Sequence, residues 1–334
     1  MKNRTHREVR LAARPEGPVT DDLFEIVEVP VPEPAAGQVL VRNSLMAVAA
    51  VMRTLMDEVT TVPMPSFGVG EALYGEAVGE VVAAPGTDLK PGDLVEHRLG
   101  WREYALLDAA EVQRLAPGLL PDPAGYLSQG PTALMGIDRG AEVRPGDTVF
   151  VTGAAGGVGS LAGQIAKLRG AARVIGSTGS REKADRLLTE FGYDAVVIRG
   201  AGPIEEQLRA AAPDGIDALF DNVGGEQLQA AIAVANRGAR LALVGALATQ
   251  LSEGSVSTTP IDTLSLLARS ITLRGVALYD HRDLIPEWHA LFGQGLRDGT
   301  LAFPHSRLHG IEQAPRALQE LIAGKHLGSV LVEL

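Results

Sequence analysis

A glycine-rich turn between an apolar run and a periodic helix constrains the fold of this chain more than any other feature. It lies in Val149–Ser160, VFVTGAAGGVGS, a variant of G-x-G-x-x-G with Ala154, Gly156 and Gly159 at the three small-residue positions. Apolar side chains then recur at helical spacing, at Val158, Leu161, Ile165 and Leu168. Gly156 lacks a Cβ, so a pyrophosphate can approach the main chain, and the helix start offers free N–H groups and a positive dipole end. The segment predicts a strand, a turn and a helix that bind a dinucleotide; a plain tight turn is the alternative.

Short apolar runs alternate with amphipathic stretches from about Tyr126 onward. The predicted strands are Val149–Val151, Arg173–Ile175, Ala195–Ile198, Ala218–Phe220, Leu241–Val244 and Ile271–Leu273. Six strands with intervening helices indicate a parallel, doubly wound sheet and therefore an α/β fold class.

The two ends of the chain have a different pattern. The first third is rich in proline and glycine and has short β-like runs separated by turn dipeptides, which indicates a compact β domain. The tail predicts a helix with Pro315 near its first turn and Gly324 as its stop, followed by a strand at Ser329–Val332.

Composition argues against several function classes. The formal net charge of −11 repels phosphodiester backbones and anionic lipid headgroups, so neither nucleic acid nor a membrane surface is an expected partner. The chain has no cysteine, which excludes disulfides and thiolate-ligated zinc and fits a cytoplasmic location. Thr148–Ala166 carries no charge, but five glycines interrupt it, so no segment is predicted to cross a membrane.

The end of the next strand favours NADPH over NADH. An NAD site usually has an Asp or Glu about 20 residues beyond the glycine turn, where it binds the ribose hydroxyls. Here Arg173–Lys183, RVIGSTGSREK, has no acid at the strand end, and Ser177, Ser180, Arg181 and Lys183 cluster at or just beyond it. A 2′-phosphate requires donors and cations, and an Asp would repel it. Cations that only solvate the start of the next helix are the alternative.

Several motifs together resemble one enzyme family. The run GAAGGVGSLAGQIAKLRG at residues 153–170 and the run Phe220–Glu226, FDNVGGE, resemble the prostaglandin/leukotriene reductase and plant alkenal double-bond reductase branch of the medium-chain dehydrogenase/reductase superfamily. Further matches cover nearly the whole chain, in the order Val29–Pro34, Gln38–Asn43, Met52-Arg53, Gly100-Trp101, Gly130 with Thr132-Ala133, and Gly275 with Asp280.

The resemblance implies a two-domain architecture. Residues 1–122 and 301–334 would form a GroES-like β domain for the substrate, and a Rossmann domain for NADPH, residues 123–300, would be inserted between them. The active site would lie in the cleft between the domains, at the carboxyl ends of the Rossmann strands. Members of the branch reduce the carbon–carbon double bond of enals, enones or 15-oxo lipids, some accept quinones, and a homodimer is their usual assembly.

The resemblance also implies a set of cofactor contacts. These are Thr132 near the nicotinamide, Ala154, Gly156, Gly157 and Val158 at the pyrophosphate, Ser177, Ser180 and Lys183 at the adenosine phosphate, and Asn222 and Gly245 along the edge of the cleft. Two further cofactor positions depart from the branch. Arg199 stands where a tyrosine is common near the adenosine phosphate and would pair with that phosphate, and His326 replaces the Asn of an Asn-x-Gly-Lys motif.

Candidate catalytic groups follow the sixth strand. Tyr279 and His281 lie in the segment LYDH, which borders the nicotinamide in relatives. A donor there would stabilise the enolate that develops when hydride reaches the β-carbon of a conjugated substrate. A packing role for Tyr279 and simple solvation of His281 are the alternatives. Val51, Arg53 and Tyr279 are the candidate substrate contacts, and Val51 replaces a tyrosine that faces substrate in the branch.

The sequence predicts a metal-free enzyme. Zinc-dependent relatives carry Gly-His-Glu in the first domain and a cysteine ligand, whereas Tyr74–Glu76 has glycine at the histidine position and cysteine is absent. His305 and His309 form a pair without a third nearby ligand, which is typical of a solvated surface. The leading hypothesis is an NADPH-dependent reductase of a small hydrophobic enone or enal. The alternatives are a quinone or carbonyl reductase, a reductive cyclase, and a catalytically idle NADPH-binding protein.

Overall fold

The computed structural model describes residues 4–60, 62–250 and 258–334, and these form two compact units. The first unit runs to Leu127 and is completed by His305–Lys325 and Ser329–Leu334. The second unit comprises Ser128–Pro304 and the short segment His326–Gly328. An α/β unit is therefore inserted in the sequence of a β unit, which is the predicted fold class.

In its described residues, the first unit opens with seven strands and one short α-helix. They are β1 (Thr5–Leu11), β2 (Phe24–Pro30), β3 (Gln38–Val48), α1 (Val51–Leu55), β4 (Ala77–Ala83), β5 (Leu94–His97), β6 (Tyr104–Asp108) and β7 (Gln113–Arg114). β1 and β2 form a separate antiparallel pair. β3 is long enough to serve two cores: Val39 and Val41 pack with Val95 in one, and Met46 packs with Trp101 in the other.

The second unit is built on a six-stranded parallel sheet. Its elements are α2 (Gly130–Met135), β8 (Thr148–Val151), α3 (Gly159–Leu168), β9 (Arg173–Thr178), α4 (Arg181–Glu190), β10 (Ala195–Ile198), α5 (Ile204–Ala211), β11 (Ile216–Asp221), α6 (Gly225–Val234), β12 (Ala235–Leu243), α7 (Leu247–Gln250), α8 (Thr263–Arg269), β13 (Thr272–Gly275) and α9 (Leu284–Asp298). The strand order is β10-β9-β8-β11-β12-β13. All six predicted strands are therefore present, and the strand order reverses direction at β8, the position at which such sheets bind their ligands.

The chain then returns to the first unit. β14 (His305–His309), α10 (Ala314–Ile322) and β15 (Ser329–Glu333) complete it, and its larger sheet has the order β14-β15-β3-β4-β5-β7, with β6 also paired to β3. Gly324 ends α10 as predicted, because its φ of +65° allows the Lys325 N–H to donate to the Glu320 carbonyl (2.9 Å). In the described part of the chain, every helix is too short or too polar to cross a bilayer.

A buried histidine in the first unit couples folding to pH. His97 is 3% exposed; its Nδ1 accepts from the Leu99 N–H (3.0 Å), so Nε2 carries the proton and donates to Asn43 Oδ1 (2.8 Å). The Asn43 amide in turn donates to the carbonyls of Leu99 and Arg102. Burial, reinforced by the charge of Arg102, lowers the pKa of His97 to about 4.

We expect acid to destabilise the protein through His97. Below the ordinary pKa of 6.5, His97 becomes protonated in the unfolded chain. In the folded chain it stays neutral until the pH falls to its lowered pKa of about 4. The stabilisation is fully present above pH 6.5 and falls by about 1.4 kcal/mol for each pH unit between 6.5 and 4. Denaturant titrations at pH values across this window measure the dependence.

Two matched variants isolate the contribution of this histidine. His97→Gln removes the titrating ring and should reduce the acid dependence by about one proton, although a repacked core will lower stability at neutral pH. His309→Gln makes the same change at a side chain that is 76% exposed and should leave the dependence as in the wild type. The same acid dependence in His97→Gln as in the wild type would contradict the prediction.

Candidate cofactor and active site

The turn that joins β8 to α3 is the centre of the candidate cofactor site, and we call residues 152–158 the phosphate turn. Gly153 has a φ of +60°, a left-handed conformation that favours glycine. Its N–H donates to Ser177 Oγ (3.0 Å), and the Ala154 N–H donates to the Ser177 carbonyl (2.9 Å). The Gly156 N–H donates to the Gly153 carbonyl (3.0 Å). The turn is therefore fixed to the end of β9 and closed on itself before α3 begins.

Two glycines of the turn region differ in what a side chain would meet. A Cβ on Gly159 would lie 2.4 Å from the Gly153 carbonyl oxygen and 2.7 Å from Ala154 Cα, so α3 starts too close to the turn for any other residue. A Cβ on Gly156 would meet nothing nearer than that same oxygen at 3.4 Å, and Gly156 is exposed. Gly159 is thus required by packing, whereas Gly156 leaves open space in front of the main chain.

The amino end of α3 presents unused donors. Within the described residues, the N–H groups of Ala155, Val158 and Gly159 donate to no acceptor, whereas the Ser160 N–H already donates to the Gly156 carbonyl. Three N–H groups at the positive end of a helix dipole are suited to bind phosphate oxygens. These donors and the open space at Gly156 fit a pyrophosphate.

Ser177 has a different role from the one implied by the resemblance. Its side chain is buried, its hydroxyl donates to Gln227 Oε1, and the same oxygen accepts the Gly153 N–H. The hydroxyl proton is therefore already used inside the protein. Ser177 holds the phosphate turn in place, and its direct contact with an adenosine phosphate stays a prediction.

A pair of cations lies at the carboxyl ends of β9 and β10. Ser180 caps α4 by accepting the Lys183 N–H (3.3 Å), and the Lys183 ammonium donates to the carbonyl of His326. Burial lowers the pKa of Lys183, partly offset by Glu182. The guanidinium of the exposed Arg199 lies over Gly179, where an added Cβ would be 3.0 Å from it. A strand end with two cations and no acid fits a 2′-phosphate.

The segment His326–Gly328 belongs to this site in a way that the sequence did not reveal. The Gly328 N–H donates to the Ala155 carbonyl (2.8 Å), and Gly328 forms a parallel bridge with Gly156. The backbone carbonyl of His326 holds Lys183. One short segment therefore contacts both the phosphate turn and the cation beyond β9, and a glycine directly before the last strand was the available signal.

A buried network joins the ends of β8 and β11. The Thr152 hydroxyl donates to Asp221 Oδ1 (2.6 Å) and accepts the Asn222 N–H (2.8 Å), while Asn222 Nδ2 donates to the Thr152 carbonyl (2.8 Å). The Gly245 N–H donates to the Asp221 carbonyl (3.0 Å), and a Cβ on Gly245 would lie 2.9 Å from the Asn222 oxygen. Asn222 and Gly245 are therefore adjacent. Thr152 and Asp221, which organise them, were missed at the sequence level.

The remaining candidates of the second unit lie on other elements. Thr132 is half-buried in α2. Tyr279 is 54% exposed in a 3₁₀ turn, Leu278–Asp280, and the His281 N–H closes that turn on the Leu278 carbonyl (2.9 Å). This turn follows β13, which is the strand at one edge of the sheet, whereas Lys183 and Arg199 follow the two strands at the other edge, β9 and β10. The Tyr279 hydroxyl has no hydrogen-bond partner among residues 4–60, 62–250 and 258–334.

The two candidate substrate residues of the first unit lie on α1. Val51 begins the helix and is half-buried. Arg53 is engaged in an ion pair with Asp57, with 2.7 Å between Arg53 Nη1 and Asp57 Oδ1. The guanidinium therefore has an internal partner one helical turn away.

Comparison with known proteins identifies the family. A model described as an N-terminal domain of oxidoreductase matches residues 7–115, and one described as a zinc-binding dehydrogenase matches residues 157–293. The NADPH-dependent curcumin reductase of Escherichia coli is 31% identical over 100% of this chain and 98% of its own. The chain belongs to the medium-chain dehydrogenase/reductase superfamily.

Other members of the medium-chain superfamily are similar along nearly their whole length. The NADP(+)-dependent 2-alkenal reductase of Nicotiana tabacum is 31% identical over 92% of this chain and 90% of its own. The crystal structure of CurA from Vibrio vulnificus in complex with NADPH superposes with a TM-score of 0.89, at 31% identity over 98% of both chains. The chain lies in the reductase branch that its motifs resemble.

The position where zinc-dependent relatives carry a histidine is occupied here by Gly75. A side chain at Gly75 would start 2.5 Å from Met52 Cε, so a histidine there does not fit without displacing Met52. In the part of the chain that the structure describes, no group of three His, Asp or Glu residues is arranged to hold a metal ion. Zinc independence stays a prediction, to be tested with the activity.

Proposed function

We propose that the protein is an NADPH-dependent reductase that delivers hydride to the β-carbon of a carbon–carbon double bond conjugated to a ketone or aldehyde, without zinc. The cofactor assignment is supported by the strand end at Ser180, where Lys183 and Arg199 replace the acid of an NAD site. The substrate class is supported by the relatives, because a 2-alkenal carries a double bond conjugated to its aldehyde.

Different residues of the second unit bind different parts of the cofactor. The free N–H groups of Ala155, Val158 and Gly159 bind the pyrophosphate, and the cations beyond β9 and β10 bind the 2′-phosphate. When bound, NADPH supplies the hydride. With the 2′-phosphate beside β9 and β10, on one side of β8, the nicotinamide half would extend to the other side, over β11 and β12, where Asn222 and Gly245 lie.

The proposed reaction is tested with a panel of acceptors. Enones, enals, quinones and saturated aldehydes are supplied with NADPH, its oxidation is followed by absorbance, and the products are identified. We expect turnover with enones or enals, saturated carbonyl products, and no effect of a metal chelator. Turnover with quinones or simple carbonyls alone would favour the quinone or carbonyl reductase, and binding of NADPH without turnover of any acceptor would favour the idle binding protein.

Tyr279 is the proposed proton donor or hydrogen-bond donor to the substrate oxygen, with His281 as a secondary candidate. Its hydroxyl is exposed and unengaged within the described residues, so it is available to a ligand. We expect Tyr279→Phe to lower kcat on the order of tenfold or more and to leave the Kd of NADPH unchanged. Steady-state kinetics and cofactor titration give the two values.

A change of the same kind elsewhere serves as the control for Tyr279. Tyr104→Phe removes a hydroxyl whose partner is Arg4, in the first unit, and should leave kcat as in the wild type. If Tyr279→Phe also turns over at the wild-type rate, Tyr279 only packs.

A homodimer is the proposed assembly. β13 is the outer strand of the six-stranded sheet and pairs only with β12 in the described part of the chain. Beside it in sequence, Leu264 and Leu267 on one face of α8 are 70% and 77% exposed. Sedimentation should give a dimer, and the double substitution Leu264→Ser with Leu267→Ser should give a monomer. Leu188→Ser, at an exposed leucine on α4, should remain dimeric; a monomeric wild type would contradict the proposal.

A further inference from the structure

A carboxylate is buried at the carboxyl end of β11, and no cation among the described residues pairs with it. Asp221 is 0% exposed, and its Oδ1 accepts from the Thr152 hydroxyl (2.6 Å) and from the N–H groups of Val223 and Gly224 (3.0 Å each), while Oδ2 accepts from Gly224 (3.1 Å). Both oxygens only accept, as an ionised carboxylate does. No Lys, Arg or His of the described residues hydrogen-bonds to it or forms an ion pair with it.

The position of this charge in the sheet is defined by the strand order. Lys183 and Arg199 lie beyond β9 and β10, on one side of β8, and Asp221 ends β11 on the other side. The two halves of a dinucleotide spread in opposite directions from the turn at which the strand order reverses. If the 2′-phosphate lies against the cations, the nicotinamide half lies on the side of Asp221.

We infer that Asp221 is an electrostatic positioning residue that favours the oxidised, positively charged nicotinamide ring over the neutral reduced ring. This inference rests on the proposed NADPH dependence. A hydride carries one proton and two electrons away from a neutral ring, so the ring left behind has a charge of +1. A fixed carboxylate held by two peptide N–H groups and a hydroxyl needs no reorganisation to stabilise that charge, and in a buried site its attraction is stronger than in water.

Asp221 also has a structural role. It ties the Thr152 end of β8 to the turn that begins α6, and its negative charge lies near the positive end of that helix. A purely structural role predicts that removal of the charge weakens the binding of oxidised and reduced cofactor equally. The electrostatic role predicts that the oxidised form is weakened more. The ratio of the two dissociation constants therefore separates the roles.

The experiment titrates the intact protein with NADPH and with NADP⁺ and compares Asp221→Asn with Thr152→Val. Asp221→Asn removes the charge with little change of shape. Thr152→Val removes the same hydrogen bond and loosens the same turn but keeps the carboxylate. We expect Asp221→Asn to raise the Kd of NADP⁺ relative to that of NADPH on the order of tenfold, and Thr152→Val to raise both by the same factor. An unchanged ratio in Asp221→Asn overturns the inference.

A second variant covers the case in which Asp221→Asn does not fold. Val223→Lys places a cation on the half-buried turn residue beside the intact carboxylate and should shift the same ratio in the same direction, and an unchanged ratio there overturns the inference as well. Failure of the proposed NADPH dependence, on which the inference rests, has a different signature. In that case the wild type binds neither form of the cofactor, whereas failure of the inference leaves wild-type binding intact.

Discussion

Lys183→Ala will weaken NADPH binding on the order of 10- to 100-fold and leave NADH binding nearly unchanged. The two cofactors differ by the 2′-phosphate, and a charge-assisted hydrogen bond from a half-buried ammonium contributes about 1.5–3 kcal/mol to binding. The ammonium is already positioned by the His326 carbonyl, so little side-chain entropy remains to be lost when the phosphate arrives. Titration of the variant and the wild type with each cofactor gives the four dissociation constants.

A second lysine close in sequence to His326 provides the control for Lys183. Lys325 is 64% exposed and pairs with Glu320 at the end of α10, so Lys325→Ala should leave both dissociation constants as in the wild type. An equal loss of NADPH and NADH affinity in Lys183→Ala would mean that the residue only holds the His326 segment, and it would remove the phosphate site from the proposal.

Gly156→Ala should weaken cofactor binding, whereas Gly159→Ala should lower the stability of the protein, although the two glycines are only three residues apart. An alanine methyl at 156 fits the protein, since its nearest neighbour would be 3.4 Å away, but it occupies the space through which the pyrophosphate approaches. We expect an unchanged melting temperature and a Kd for NADPH raised about tenfold or more. At 159 the methyl would be 2.4 Å from a backbone oxygen, and we expect a loss of about 3 kcal/mol in the free energy of unfolding.

Thermal melts with and without NADPH separate the two effects. Gly156→Ala should melt like the wild type alone and lose the stabilisation that the cofactor provides, because ligand stabilisation depends on affinity. Gly159→Ala should melt lower even without cofactor. If Gly156→Ala bound NADPH as the wild type does, the open space in front of residue 156 would not be the pyrophosphate site.

The strands of the second unit were predictable because they depend on local patterns. Each is a short apolar run between helices, and a run such as Ala218–Phe220 is recognisable without knowledge of its neighbours. The superfamily and the fold class were predicted correctly for the same reason, since the motifs that carry them are contiguous. The ends of elements were less exact, as β12 already begins at Ala235, six residues before the predicted start at Leu241.

The parts of the site that were missed depend on partners distant in the chain. The structural role of Ser177 was not foreseen, because its partner, Gln227, is 50 residues away. Thr152 and Asp221 meet across 69 residues, and neither has a local pattern that marks it as buried. Gly328 contacts Ala155 from a segment near the other end of the chain. Only the folded sheet brings these groups together.

The way in which Lys183 is held determines which nearby substitutions the site tolerates. The acceptor is a main-chain oxygen, so this bond does not depend on the side chain at 326. Two positions later this freedom ends: Gly328 has a φ of +81°, and a Cβ would collide with the Pro304 carbonyl. The bond to Lys183 therefore places no demand on the side chain at 326, whereas the backbone at 328 requires glycine.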